Sequence, residues 1–127
     1  MANKYGEAAL IAARLEVPPS VTPDERWDVA VRQLYPEKPY MQKKTAPRGT
    51  FLGLCEEGLV KGIPSGQYAP SSKNKSYALG AVKLLAAGTH RNVQALWAAV
   101  TAGEELAHNA QMDVVLALWK NGLILQP

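Results

Sequence analysis

The sequence pattern of one predicted helix end occurs twice in this chain. Residues 52–60, LGLCEEGLV, recur as residues 116–124, LALWKNGLI, and a proline follows each copy. Upstream, Trp27 has a counterpart in Trp97, 70 residues later. A repeat of this kind indicates a supersecondary unit that cannot bury its apolar face alone and needs its neighbour to complete one core. The sequence therefore predicts an all-α single domain of about six helices, built from two pseudo-symmetric three-helix halves.

The boundaries of the two halves follow from the repeat. We expect one half over residues 1–64, the other over 74–127, and a mobile linker over 65–73 between them. A length of 127 residues is close to the commonest domain size, so one self-sufficient core is expected without disulfides or metal. The absence of an alternating run of β-branched residues argues against a sheet.

Local signals place the second helix of each half. Thr22 can cap its helix, Pro23 fits the first turn, and Glu25 can complete a capping box. The helix should end at residue 34 or 35, because Pro36 forces the residue before it out of the helical region. Asn92 is the corresponding cap in the second half, five residues before its tryptophan.

Other residues predict where the remaining helices stop. The prolines Pro18 and Pro19 should end the first helix of the first half, and Gly88 the corresponding helix of the second. Gly58 and Gly122 are predicted to be the left-handed residues after the two third helices, in a Schellman-type ending that any larger residue would strain.

Cysteine content and hydropathy indicate the compartment. Cys55 is the single cysteine, so no intramolecular disulfide is available, which is typical of a reducing environment. The first residues enter a polar helix with no apolar signal segment, and no stretch approaches the roughly 18 apolar residues of a membrane span. We therefore expect a cytoplasmic protein with no membrane partner.

The two halves differ most between their second and third helices. Residues 36–49 are rich in lysine, whereas residues 101–109 are acidic. The net charges of residues 1–37, 38–91 and 92–127 are −2, +7 and −2. Because loops on a rigid scaffold often carry binding residues, this asymmetry is the strongest functional signal in the sequence.

If the 36–49 loop and the linker lie on one side, their cations and tyrosines form a positive patch with aromatic platforms. Such a patch suits phosphate groups or single-stranded nucleic acid. Its candidate residues are Lys43, Lys44, Arg48, Lys73 and Lys75, with Tyr40 and Tyr68 as stacking groups. The alternative interpretation is that these lysines are simply solvated loop residues, since net charge affects solubility before it affects function.

Two adjacent carboxylates, Glu56 and Glu57, stand near a predicted helix C-terminus, where the helix dipole disfavours negative charge. We expect a basic partner to offset this cost, with Lys61, Arg48 or a ligand group as candidates. The plain alternative, which we favour, is an intramolecular ion pair or simple exposure of the two carboxylates.

Signatures of catalysis and of metal or cofactor binding are weak. Cys55 lies on the predicted inward face of its helix, where burial makes a thiol unreactive. His90 and His108 fall in different loops, so a metal site would need additional carboxylates. The lysine-flanked glycines around residues 49–66 do not form a phosphate-binding loop motif, and helix packing at Gly53 and turns explain them. We predict no catalytic residue, no metal and no cofactor.

Three stretches carry a family resemblance. The segment GTFLGLCEEGLVKGIPSGQY at residues 49–68, KNKSYA at 73–78 and QMDVVLALW at 111–119 resemble a small bacterial family known only as a domain of unknown function. The resemblance spans most of the chain and implies no reaction, ligand or catalytic residue. Residues 54–60 are also similar to the end of a recognition helix in winged-helix regulators, although no paired strands follow Pro64.

These observations favour a small non-enzymatic interaction or adaptor protein that binds an unknown protein partner. The alternative is a nucleic-acid-binding protein that uses the basic region 38–91. An enzyme comes third, with Glu56, Glu57 and His108 as its only plausible acid-base groups.

Overall fold

The structure, a computed structural model, describes residues 3–18, 20–68 and 72–125, and these residues form a helical domain without strands. Six helices have eight residues or more, and a seventh is a single turn. In chain order the helices are α1 (Tyr5–Arg14), α2 (Pro23–Leu34), α3 (Pro39–Gln42), α4 (Thr45–Glu56), α5 (Ser72–Ala87), α6 (Val93–Val100) and α7 (Gln111–Lys120). The prediction of an all-α domain of about six helices is confirmed.

The most extensive helix contacts join the first helix of one predicted half to the third helix of the other. α1 packs against α7, and α5 packs against α4. α1 also packs against α2, and α4 against α7. The core between these helices is a single cluster, and its largest fully buried side chains include Trp27, Phe51, Leu52, Leu54, Leu96, Met112 and Leu118.

Capping residues begin the second helices as predicted. The Glu25 carboxylate accepts a hydrogen bond from the Thr22 backbone N–H at 3.1 Å. The Asn92 side chain accepts one from the Ala95 N–H at 2.8 Å at the start of α6. Both bonds satisfy N–H groups that a helix start leaves unpaired. The helix before Pro36 ends at Leu34, within the predicted limits.

The prediction that Pro18 and Pro19 end the first helix is wrong, because α1 stops at Arg14. Leu15 is already extended, with φ −60° and ψ 129°. The buried Arg26 side chain takes the place of the next helical turn by donating hydrogen bonds to the carbonyls of Ala12 at 3.0 Å and Leu15 at 3.2 Å. Position 19 itself lies outside the described residues.

Gly58 and Gly122 both adopt the predicted left-handed conformation, with φ of 69° and 70°. After α4, the Leu59 N–H donates to the Leu54 carbonyl at 3.0 Å. After α7, Leu123 and Leu118 form the matching bond at 2.9 Å. These are the backward bonds of a Schellman ending. Gly88 also has positive φ, 75°, directly after α5, as predicted.

The segments that follow the two glycines pair with each other. Val60 and Ile124 form an isolated antiparallel bridge. The Lys61 N–H donates to the Leu123 carbonyl at 2.9 Å, and the Leu125 N–H donates to the Leu59 carbonyl at 2.7 Å. The repeat aligns these donors with each other and these acceptors with each other, so equivalent positions exchange equivalent bonds. Duplication of the complete halves stays a prediction, and superposition of 3–68 on 72–125 tests it.

Two predicted loops contain helix. The 36–49 segment includes α3 and the first five residues of α4, where Pro39 and Pro47 fit first-turn positions that need no donor. α5 begins at Ser72, so the last two residues of the predicted 65–73 linker are helical, and residues 69–71 lie outside the described part of the chain.

Candidate functional site

A cleft of about 400 Å³ lies between α2 and the segment that leads into α4. We call it the basic cleft. Its lining residues are Asp28, Val31, Arg32, Gln42, Lys43, Thr45 and Arg48. Asp28, Val31 and Arg32 share one face of α2, because residues three and four positions apart lie together on a helix. The cleft therefore includes two predicted binding residues, Lys43 and Arg48.

Buried tyrosines hold the opposite wall of the basic cleft in place. The Tyr5 hydroxyl donates to the Met41 carbonyl at 2.6 Å, and the Gln42 side chain donates to the Tyr35 carbonyl at 2.9 Å. Burial, with a smaller contribution from Tyr35, raises the pKa of Tyr5 to about 12, so its hydroxyl keeps the donated proton at neutral pH. α3 is thus tied both to the core and to the end of α2.

The basic cleft is electropositive. It contains three cations, Arg32, Lys43 and Arg48, and one carboxylate, Asp28, whose Oδ1 lies 3.6 Å from Arg48 Nε. α4 begins beside it with no side-chain cap and no acidic residue in its first turn. The positive end of a helix dipole adds to the side-chain charges. The arrangement favours a carboxylate or another anionic group.

Tyr40 lies on α3, two residues before the cleft residue Gln42 along the chain. Its side chain is 70% exposed, whereas most large apolar side chains of the described residues are covered. It contacts no aromatic ring of the described residues. The predicted role of Tyr40 as an accessible aromatic platform is compatible with this position.

Lys75 lies against the far end of α4, and Lys73 is an exposed residue two positions before it on α5. Lys75 Nζ is 2.8 Å from Glu57 Oε1 and 3.4 Å from Glu56 Oε2, and the hydrogen bond to Glu57 is the main reason that the Lys75 pKa is raised. Since eight residues of helix rise about 12 Å, this group and Arg48 sit at opposite ends of α4. The predicted cations therefore form two clusters.

The alternative interpretation of Glu56 and Glu57, an intramolecular ion pair, is confirmed, although its cation is neither Lys61 nor Arg48. Lys75 supplies the positive charge, while Arg48 pairs with Asp28. Gly53 makes this pairing feasible, because a Cβ there would lie 2.7 Å from the Lys75 Cβ and 2.8 Å from its Cα. The missing side chain lets α5 approach α4 closely, as predicted for helix packing at Gly53.

Tyr68 is half-buried. Its ring lies over Gly66, and its hydroxyl donates to the Pro64 carbonyl at 3.1 Å. A base or partner side chain has less of this ring available than of Tyr40. The two predicted stacking groups thus differ in accessibility.

The residues considered for acid-base chemistry each contact different partners and form no common site among the described residues. Cys55 is fully buried, and burial raises the pKa of its thiol far above the usual range, as expected for a core cysteine. His108 packs on Trp97 and accepts a hydrogen bond from the Met112 N–H at 3.1 Å, while Glu56 and Glu57 bind Lys75. Among the described residues, no three His, Cys, Asp or Glu side chains are grouped so as to hold a metal ion.

Sequence reasoning missed Asp28, Arg32 and Gln42. The available signal was the spacing of Asp28 and Arg32 on the polar side of α2, but α2 was interpreted only through its buried face. Gln42 gave no signal, because its role depends on where the chain returns to Tyr35.

Within the described ranges, no helix is both long enough and apolar enough to cross a membrane. Comparison with known proteins adds a family but no activity. Neither a curated protein nor a solved structure matches the chain. A family model matches residues 2–125, which is nearly the whole sequence, and bears out the resemblance to an uncharacterised family. The chain belongs to the family of unknown function DUF6979.

Proposed function

We propose that this protein is a non-enzymatic interaction protein that binds an acidic segment of a partner protein through the basic cleft and Tyr40. The observation that carries the proposal is a cleft with three cations, preceded in the chain by the exposed Tyr40 on α3. Tyrosine and arginine are the side chains that most often dominate protein interfaces. The single buried cysteine supports a cytoplasmic location for this function.

The rigidity of the site supports the same proposal. α3 is anchored by the bonds to Met41 and from Gln42, so the backbone that carries Tyr40 and leads to Lys43 is in place before a partner arrives. A preorganised surface loses less conformational entropy on binding. Carboxylates of a partner would compete with Asp28 for Arg48, whose 3.6 Å contact is longer than a good charge-assisted hydrogen bond.

The test is capture of partners from the native host, followed by mass spectrometry, with and without nuclease. We compare wild type with Tyr40→Ala, Lys43→Glu and the control Lys73→Glu, which makes the same charge change at an exposed position on α5. We expect a nuclease-resistant partner that both cleft variants lose and the control retains. Equal capture by all variants would reject the cleft as the binding site.

Nucleic-acid binding is the alternative, favoured by Lys43 and Lys44 beside the exposed Tyr40. The carboxylates that pair with Lys75 and Arg48 count against it, as does the separation of the two clusters. Salt dependence tests it, since each phosphate contact on a single strand contributes about −0.7 to the slope of log affinity against log salt.

We expect a labelled oligonucleotide to bind weakly or not at all at low salt, as followed by fluorescence anisotropy. If it binds tightly, replacing Lys43 and Lys44 with Ala should flatten the slope by about 1.4, and adding Lys75→Ala should change it little because Lys75 is ion-paired. Tight binding with these slope changes would favour the nucleic-acid alternative over a protein partner.

A further inference from the structure

The outer face of α1 is unusual because Leu10 and Ile11, the largest aliphatic residues of this helix, are only partly covered by the core. Its buried stripe consists of Tyr5 and three alanines. Leu10 and Ile11 lie on the opposite side of the helix at the 3.6-residue period and are half-buried. A helix with alanines on its buried face and leucine and isoleucine on its outer face is suited to packing on both sides.

A groove of about 620 Å³ runs along this face between α1 and α2. Leu10, Ile11 and Leu34 contribute its apolar lining. Val29, one turn before the groove residue Gln33 on α2, is 39% exposed, which is high for a valine in a helix of this domain. The apolar surface thus continues from α1 onto α2.

Charges of opposite sign close the two ends of the stripe. Glu7, Leu10, Ile11 and Arg14 follow the spacing i, i+3, i+4, i+7 on one face of α1. Glu7 and Arg14 are about 10 Å apart along the helix, too far to pair with each other. In the part of the chain that the structure describes, Glu7 forms no ion pair, and Arg14 makes one long hydrogen bond, 3.4 Å, to Asn121.

This pattern is complementary to itself. When two copies of α1 pack antiparallel about a two-fold axis between residues 10 and 11, Glu7 of one copy faces Arg14 of the other, and Leu10 faces Ile11. Both ion pairs form at once, because a two-fold interface repeats every contact. We propose that the α1 face, defined as Glu7, Leu10, Ile11 and Arg14, is the interface of a homodimer of this chain.

The proposed dimer is independent of the proposed function. The basic cleft lies on the other flank of α2, along Asp28, Val31 and Arg32, so it stays open in the dimer. Two clefts per assembly would raise the avidity for a partner with two acidic segments.

Charge reversal tests the interface with the intact chain. Light scattering coupled to size exclusion, over a series of protein concentrations, should give wild type a mass that rises toward twice 13.7 kDa. Glu7→Arg places like charges opposite each other at both ends of the seam, and so does Arg14→Glu. Each single variant should raise the dissociation constant by at least about tenfold.

Mixing the two single variants tests directly whether residues 7 and 14 pair across the interface. In a mixed dimer each end of the seam again joins opposite charges, so a 1:1 mixture of Glu7→Arg and Arg14→Glu should recover the wild-type mass. Glu16→Arg, an exposed position just past α1, is the matched control and should behave as wild type. Thermal unfolding of each variant shows whether the monomer fold is kept.

A wild type that stays at 13.7 kDa at every concentration would overturn the proposal. So would single variants that dimerise like wild type, or a mixture that remains monomeric although both variants are folded.

Discussion

Trp27 and Trp97 occupy positions that the repeat aligns, on α2 and α6, but their surroundings differ. Trp27 is fully buried, with ring centroids of Tyr5 and Phe51 at 6.4 and 5.3 Å, and its Nε1 has no hydrogen-bond partner among the described residues. Trp97 is half-buried, and its Nε1 donates to the Leu106 carbonyl at 2.9 Å.

The two tryptophans differ in how they relate to the segment that follows their own helix. Trp27 belongs to the core, and the segment after its helix forms the wall of the basic cleft. Trp97 holds down the 101–110 segment through the bond to Leu106 and an edge contact with His108 at 5.0 Å. Tryptophan thus supports core packing in one predicted half and loop placement in the other.

The largest contrast is expected from removing each indole. Trp27→Ala should lower the free energy of unfolding by about 3–5 kcal/mol, because it leaves a cavity in a fully packed site. Trp97→Ala should cost roughly half of that, since part of the ring is already in water and one hydrogen bond is lost. Urea unfolding measures both, and equal costs would contradict the distinction between core and loop anchor.

The next contrast concerns Gly53 and Ala117, which the repeat also aligns. Gly53→Ala should cost about 1–3 kcal/mol, since the new methyl meets the Lys75 backbone and forces α4 and α5 apart. The reverse change, Ala117→Gly, should cost about 1 kcal/mol through helix propensity, with a small further loss of the half-buried methyl that faces Gly6. A neutral Gly53→Ala would show that the α4–α5 contact is looser than its distances indicate.

Gly58 and Gly122 share their φ but not their neighbours. Each replacement by Ala should cost about 1 kcal/mol, because a Cβ disfavours the left-handed conformation. Gly58→Ala should cost more, since its Cβ would lie 3.3 Å from the Ser65 Cβ, whereas no atom of the described residues lies within 4 Å of a Cβ at Gly122. Thermal unfolding of the pair tests this order, and a larger cost at Gly122 would contradict it.

The smallest effect is expected from pH and only in the second half. Burial lowers the pKa of His108 below its ordinary value of 6.5, against a smaller opposing effect of Asp113. The unfolded chain therefore binds a proton before the folded one does, and stability falls as pH drops from 6.5 through the folded pKa. Protonation also removes the acceptor for the Met112 N–H.

Urea midpoints at several pH values measure this loss. His108→Gln keeps an acceptor without a titrating ring and should weaken the acid dependence. His90→Gln, the matched control in another loop, should leave it unchanged. The same acid dependence in all three proteins would assign it to other groups.

The sequence predicted a helix end correctly where the residue that causes it lies within a few positions of that end. Proline at position 36, the cap at Asn92 and the glycines after α4 and α7 each act on their own backbone, so the sequence predicted the helix ends they produce. Arg26 shows the limit of such local prediction. It ends α1 from a different helix, and the sequence contains no local trace of that contact.

The candidate site was predictable in part for the same reason. The lysines and Tyr40 of the 36–49 segment stand out by composition. Composition does not reveal that these residues are separated from Lys75. That separation depends on the contact between α4 and α5, which brings Lys75 to Glu56 and Glu57. The α3 turn was missed because a helix of four residues carries too little periodicity to be predicted.

The contact between α1 and α7 has a consequence for folding during synthesis on the ribosome. α1 leaves the exit tunnel first, but its packing partner is made last, and the Arg14–Asn121 bond joins residues 107 positions apart. At translation rates of about 5–20 residues per second, α1 waits roughly 5–20 s for α7. During that interval the apolar surface of α1 that α7 covers in the folded protein has not yet met its partner.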